Sequence, residues 1–161
     1  MKRRGQLSGD ELQFVVFRVG SQELGLGILE VERILRYIAP TPALRAPGFI
    51  TGTIGFEGAD LPVLDLRLRA GLEPVVREET RIMVLAVPGP PLALVVDQVR
   101  DVVRVDSRHI APAGTAPPGV PAGAVGGLVE RAGRTIVIIH AARLLDAAEI
   151  DSERKVVMEE R

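Results

Sequence analysis

Apolar positions in this chain fall in short, dense runs rather than at helical spacing. Leu12 to Val19 holds Phe14, Val15, Val16 and Phe17 in a row. The same habit recurs in Leu61-Pro62-Val63-Leu64-Asp65-Leu66, Arg81-Ile82-Met83-Val84-Leu85-Ala86-Val87, Leu92-Ala93-Leu94-Val95-Val96 and Thr135-Ile136-Val137-Ile138-Ile139. Val- and Ile-rich runs of this length, bounded by Gly or Pro, predict strands buried on both faces. Helix is scarcer. Leu66 to Leu72 and Ala141 to Ala148 predict short helices, the second with Ala141, Leu144, Leu145 and Ala148 at helical spacing. Val31 to Leu35 reads as one turn or a bent strand.

The runs repeat. At an offset of 68 residues Phe17 falls on Leu85, Val19 on Val87, Leu24 on Leu92 and Leu26 on Leu94; Ile28, Val31, Ile34 and Leu35 then fall on Val96, Val99, Val102 and Val103 without a gap. Further on the offset is 75: Ile54 meets Val129, Gly58 meets Gly133, and Leu61, Val63 and Leu64 meet Ile136, Ile138 and Ile139. A polar residue, Asp65 or His140, and a short helix follow each copy. The seven extra residues fit Ala111 to Ala124, whose Pro, Gly and Ala predict a loop. Apolar strands resemble one another, so chance is the competing explanation, and eight ungapped matches weigh against it. Two β-units of one plan, each too small to bury much surface alone, predict a shared apolar seam. Short antiparallel strands closing into small barrels would also hide their edges.

Composition narrows the chemistry. Among 161 residues, 47% are hydrophobic and 25% charged, enough for a packed core. The formal net charge is -1, so no basic field is available for a nucleic acid backbone, and Lys2-Arg3-Arg4 is too short a run to anchor one. Cysteine is absent, which removes disulfides, thiolate metal sites and cysteine nucleophiles together. With two His, an all-protein transition-metal site is not expected, and no cofactor is called for. The basic N-terminus lacks an apolar signal core, and no stretch approaches the ~18 apolar residues of a membrane helix. The expectation is a soluble cytoplasmic protein with a mobile arm over residues 1–11 and a charged tail over 149–161.

Catalytic constellations are thin. Ser107-Arg108-His109 reads as a turn, not a catalytic pair. His140, between a strand and a helix, fits an N-cap or packing role. Asp65 and Asp97 each close an apolar run, where a carboxylate usually caps a helix or a turn. Gly25-Leu26-Gly27 lacks the third glycine and the βαβ setting of a dinucleotide site. What remains is surface, which suits a protein that binds other proteins.

The order of motifs resembles a known family. Phe14-Val15-Val16-Phe17-Arg18-Val19-Gly20, Leu24-Gly25-Leu26-Gly27-Ile28 and Val31 to Ile34 look like its opening strands. Thr41-Pro42, Ala46-Pro47-Gly48-Phe49-Ile50-Thr51-Gly52 and Leu61-Pro62-Val63-Leu64-Asp65-Leu66-Arg67 follow, and Leu94-Val95-Val96-Asp97-Gln98-Val99 matches the second half. The set is similar to CheW, the adaptor of bacterial chemosensory arrays, and covers residues 12–148. The resemblance implies a mainly β fold: two SH3-like five-stranded β-barrel subdomains, intertwined around a common core with short helices, their repeats at about 14–72 and 80–147. It implies no catalysis. Such adaptors couple methyl-accepting chemoreceptors to the CheA-type histidine kinase, through the receptor's cytoplasmic tip and the kinase's regulatory domain, in membrane-proximal arrays.

Carried over residue by residue, the receptor groove comprises Ile28, Val31, Arg33, Gly52, Glu57 and Gly58. Val31 also fits the core, and Gly52 a strand bulge. Two positions depart from the family. It usually has Glu where this chain has Arg33, and Arg before the glycine where this chain has Glu57. Both signs are reversed, so the expectation is a facing pair with its charges exchanged, serving a divergent receptor or another chemosensory output. A reading from a different class is a small hydrolase or ligand-binding barrel built on Asp65, Asp97 and the histidines, which requires a deep pocket with converging polar groups.

Overall fold

The computed structural model describes residues 10–42 and 50–145. The first half supplies β1 (Glu11–Val19), β2 (Gln22–Gly27), β3 (Val31–Arg36), β4 (Ile50–Phe56) and β5 (Ala59–Leu64). The second supplies β6 (Arg81–Leu85), β7 (Leu92–Val96), β8 (Gln98–Asp106), β9 (Val125–Arg131) and β10 (Arg134–Ile139). They form two five-stranded sheets, ordered β8-β1-β2-β10-β9 and β3-β6-β7-β5-β4. Replacing each strand by its partner five places away converts one order into the other. The internal repeat is therefore a property of the fold.

The repeats and the sheets are different divisions of the chain. Each sheet takes two strands from one half and three from the other. The chain leaves sheet 1 after β2, returns after β7, and so crosses twice. This exchange makes β2·β10 and β5·β7 parallel pairs, where an all-antiparallel arrangement was expected. A strand arriving from the other half is not bound by the hairpin connections that make neighbours antiparallel. Single bridges, Thr41 to Thr53 and Ala111 to Leu128, bring the chain after β3 and β8 against the far edges β4 and β9. Each sheet thereby curls towards closure as a small barrel.

Unbroken apolar runs form these strands because three cores exist. Val15, Phe17 and Val19 of β1 face a central core with Met83 and Leu85 of β6, Leu92, Leu94 and Val96 of β7, and Val137 and Ile139 of β10. The alternate residues face inward in their own sheet: Phe14, Val16, Ile136 and Ile138 in one, Ile82, Val84, Ala93 and Val95 in the other. Fully burying one such side chain contributes about 1.5–3 kcal/mol. The central core is thus the main bond between the sheets.

Helix is shorter than expected. The helix predicted from Leu66 is the single turn α1 (Leu66–Arg69), capped by Asp65, whose side chain accepts from Arg67 N. From Ala141 the chain makes a 3₁₀ turn, Ala141–Arg143; residues 146–148 of that call, the tail, and most of the N-terminal arm lie outside the described residues. The extra loop runs from Ala111 towards a 3₁₀ turn at Ala122–Ala124, and its Val120 enters the central core. At Gly119 an added Cβ would lie 2.4 Å from Leu66 O, so this loop packs directly on α1.

Candidate docking surface

β3 is an edge strand of sheet 2, and most of its residues are solvent-exposed. A β-bulge at Glu32 shapes it. Val31 pairs with Leu85 and Arg33 with Val84, two residues on opposite faces of β6. In a regular strand Val31 and Arg33 would share a face. The bulge turns Val31 against the central core and sends Arg33 to the other side. Ile34, opposite Met83, follows Val31 on the central side but lies beyond the core and is half exposed.

Arg33 meets Glu57. Its Nη2 lies 3.3 Å from Glu57 Oε2, and its guanidinium stands 5.4 Å from the centre of the Phe56 ring. The expected facing of Arg33 and Glu57 as an ion pair is present. Glu57 and Gly58 form the two-residue turn between β4 and β5, with φ of 49° and 82°. Two consecutive positive φ values are the hairpin turn whose twist suits the flanking strands. The repeat reproduces it at Ala132-Gly133, with φ of 52° and 78°. Both side chains of the ion pair are more than half exposed, so the pair contributes only about 0–1 kcal/mol to stability.

Ile28 belongs to a 3₁₀ turn, Ile28–Glu30, that links β2 to β3 and buries none of its residues. Its neighbour Leu29 is 92% exposed, the most exposed large apolar side chain among the described residues. Ile28, Leu29 and Ile34 give the entry to β3 and the strand itself an exposed apolar border, with Ile34 on the opposite face of the strand from Arg33. Leu29 and Ile34 were not in the sequence-derived set. No sequence signal singles out Ile34: its repeat equivalent Val102 is apolar as well, and the exposure of both is seen only in the structure.

Gly52 does not join this surface. It is buried, at φ 151°, where β4 bulges. An added Cβ would sit 2.0 Å from Thr41 O. Gly52 lets Thr41 and Thr53 exchange two 2.8 Å backbone hydrogen bonds. Its role is in the backbone, as the bulge reading held.

The residues considered for catalysis are otherwise engaged. Arg67 is buried between two carboxylates. Its Nε and Nη2 donate to Asp65 (3.0 and 2.9 Å), and its Nη1 to Asp97 Oδ1 and Val75 O (both 2.8 Å). Burial opposes the charge on Arg67, but the hydrogen bond and charge of Asp65, with those of Asp97, outweigh it and raise its pKa above the ordinary arginine value. Sequence reasoning saw Asp65 as a cap and missed its cation. His140 stands at the start of the 3₁₀ turn without capping it by its side chain, and its ring lies over Gly126. Ser107 and His109 lie in a 3₁₀ turn capped by Asp106, which accepts from Arg108 N at 2.9 Å. Among the described residues no group of three or more His, Asp or Glu could hold a metal ion, and no helix is long and apolar enough to cross a membrane.

Comparison with known proteins agrees with this geometry. A family model described as CheW-like domain matches residues 13–149. The chain is 32% identical over 141 residues to a Bacillus subtilis protein named chemotaxis protein CheW, spanning 83% of this chain and 86% of that one. It is 36% identical over 103 residues to protein FrzA of Myxococcus xanthus, spanning 63% and 64%. The crystal structure of the scaffolding protein TtCheW from Thermoanaerobacter tengcongensis superposes with a TM-score of 0.79 at 26% identity, over 92% of this chain and 96% of that one. Two five-stranded sheets of exchanged strands, a family match over most of the length and a solved scaffold of the same shape make this chain a member of the CheW-like family, a chemotaxis adaptor rather than an enzyme.

Proposed function

We propose that this chain couples methyl-accepting chemoreceptors to a CheA-type histidine kinase in the cytoplasm, at membrane-proximal arrays, with the receptor's cytoplasmic tip docking along β3. The observation that supports this reading most is that the edge strand β3 and the turn leading into it carry exposed Ile28, Leu29 and Ile34 together with an exposed ion pair at Arg33. A receptor helix needs an apolar strip to bury and charged groups to fix its register. Val31 supports the border from the core side, and Gly58 gives the turn that carries Glu57.

The exchanged signs favour a receptor whose own charges are exchanged to match. A receptor that offers a carboxylate to the hairpin turn meets Glu57, and one that offers a cation to β3 meets Arg33. Both are like-charge contacts. The kinase's regulatory domain is the second partner.

Co-purification with a soluble chemoreceptor fragment bearing the tip hairpin, and separately with the kinase regulatory domain, tests the pairing of partners. Capture of neither by the wild-type protein would sink the reading. A charge-swap cycle then tests the pair. Arg33→Glu and Glu57→Arg each weaken receptor binding several-fold, roughly 3- to 10-fold, and the double swap recovers part of the loss. If Glu57→Arg and the double swap weaken binding equally, the two residues do not act as a pair.

A second reading is a coupler in a chemosensory pathway with a non-flagellar output. The relative FrzA, whose name lies outside chemotaxis, favours it. The surface is the same in both readings; deletion of the gene with separate assays of swimming and surface movement distinguishes them.

A further inference from the structure

The turn that carries Ile28 and Leu29 has an unusual foundation. Glu30, its last residue, turns its carboxylate back into the protein rather than out to water. Oε2 accepts Gly27 N at 3.0 Å, and Oε1 accepts Ala141 N at 2.8 Å, from a residue 111 positions away. The backbone oxygen of Glu30 accepts Ala86 N at 2.9 Å. Gly27 ends β2 and Ala141 follows β10, both in sheet 1; Ala86 follows β6 in sheet 2. One residue thus ties the crossing chain to both sheets. Two further details fit. His140 leaves the first N–H of the Ala141–Arg143 turn without a side-chain cap, and Glu30 supplies it from afar. Gly27 has an ordinary φ of −53°, so nothing in its backbone demands glycine; an added Cβ would lie 3.0 Å from Glu30 Oε2.

We propose that Glu30 is a positioning residue for the docking surface: by joining Gly27 N to Ala141 N it braces the crossover so that Ile28 and Leu29 face solvent in one fixed arrangement. A carboxylate suits this role because both of its partners donate, and each bond is charge-assisted. Glutamine fails for the same reason. Its amide nitrogen would face an N–H donor, so at most one of the two bonds survives. Holding the turn before a partner arrives removes the ordering cost that a loose turn would charge against affinity.

For its effect on binding the inference rests on the docking reading above; the bracing itself does not. The test therefore has two readouts. Amide hydrogen exchange in Glu30→Gln should rise about ten-fold at Gly27 or Ala141, the size expected for one lost charge-assisted bond, while amides in β6 and β7 keep their protection. Affinity for a soluble chemoreceptor tip fragment should fall about five-fold. Gly27→Ala, which crowds the same carboxylate, should do likewise, and the double variant should lose no more than Glu30→Gln alone. Unchanged exchange at both amides in both single variants overturns the proposal. So does faster exchange with full affinity, if Leu29→Ala weakens binding in the same assay. If Leu29→Ala and Arg33→Glu both leave affinity intact while exchange still rises, the brace stands and the docking reading falls.

Discussion

The chain crosses between its two sheets twice, and the two crossings are built differently. From β2 to β3 it inserts the 3₁₀ turn Ile28–Glu30, held by one carboxylate on backbone N–H groups. From β7 to β8 a single residue intervenes, Asp97. Its carboxylate joins Arg67 Nη1 (2.8 Å) to Gly20 N (2.6 Å), and its own N–H donates to Arg18 O (2.9 Å). A buried cation thus rivets one crossing, while the other carries its apolar side chains in solvent. The edge strands differ in keeping. Ile34 and Val102 are equivalent and both exposed, but Arg33 lies beside Glu57 whereas its equivalent, Asp101, lies 3.6 Å from Arg134. A duplicated fold supplies two similar edges. Where the copies diverge, one edge sets Arg33 against the Glu57 turn and the other sets Asp101 near Arg134.

The largest effect should come from the riveted crossing. Arg67→Met leaves Asp65 and Asp97 facing each other without their cation. Removing one member of a buried ionic group costs about 3–5 kcal/mol, a fall in Tm of roughly 10 °C for a chain of this size. Thermal unfolding checks it; a loss under 1 kcal/mol would mean the triad fastens nothing. An intermediate effect separates Gly52 from its repeat equivalent Gly127, which lies where β9 bulges against β10. Gly52→Ala places a Cβ 2.0 Å from Thr41 O, and Gly127→Ala one 2.9 Å from Ala111 O. Both glycines have positive φ, worth about 1–3 kcal/mol against any other residue. The closer clash makes Gly52→Ala the more damaging in denaturant titration, and the reverse order would show that the copies strain differently from their geometry.

The smallest effect concerns the same Asp-x-Arg device in a wet setting. Asp106 caps its turn and pairs with Arg108 (Nη2–Oδ2 2.7 Å), as Asp65 does with Arg67, but Arg108 is largely exposed. The side-chain and backbone hydrogen bonds from Arg108 hold the Asp106 carboxyl well below the usual aspartate range. A depressed carboxyl stabilises the fold above its unfolded pKa and loses that contribution as pH falls through its folded value. Arg108→Met should return the Asp106 titration, followed by NMR, towards ordinary aspartate, with almost no change in Tm at neutral pH. A Tm loss as large as that of Arg67→Met would erase the distinction between buried and exposed copies.

Much of this architecture is legible in the sequence. The runs at β1, β6, β7 and β10 announce strands buried on both faces because each does face two cores. The repeat at offsets 68 and 75 places β4 over β9 and β5 over β10. What the sequence hides is which strands share a sheet. Apolar strands are interchangeable by composition, and pairings such as Val137 with Leu24 join residues far apart in the chain. The site divides in the same way. Arg33 and Glu57 are readable as a facing pair only through the resemblance, which implies the opposite sign at both positions. Gly52 was ambiguous between bulge and surface, since glycine serves either. Leu29 carries no signal, because an exposed leucine and a core leucine look alike until the turn is seen. Arg67 was visible only as part of a motif; its second carboxylate lies 30 residues away.

The exchange of strands also governs how such a chain can be made. β2 has β1 on one side and β10 on the other, and β10 is the last strand among the described residues. A nascent chain that has emerged only as far as β5 possesses no complete sheet, for its strands belong to two different ones. Neither half can mature on the ribosome and wait for the other. A truncation that spares β3 and the Arg33–Glu57 pair but removes Arg134–Ile139 should therefore leave no stable fold.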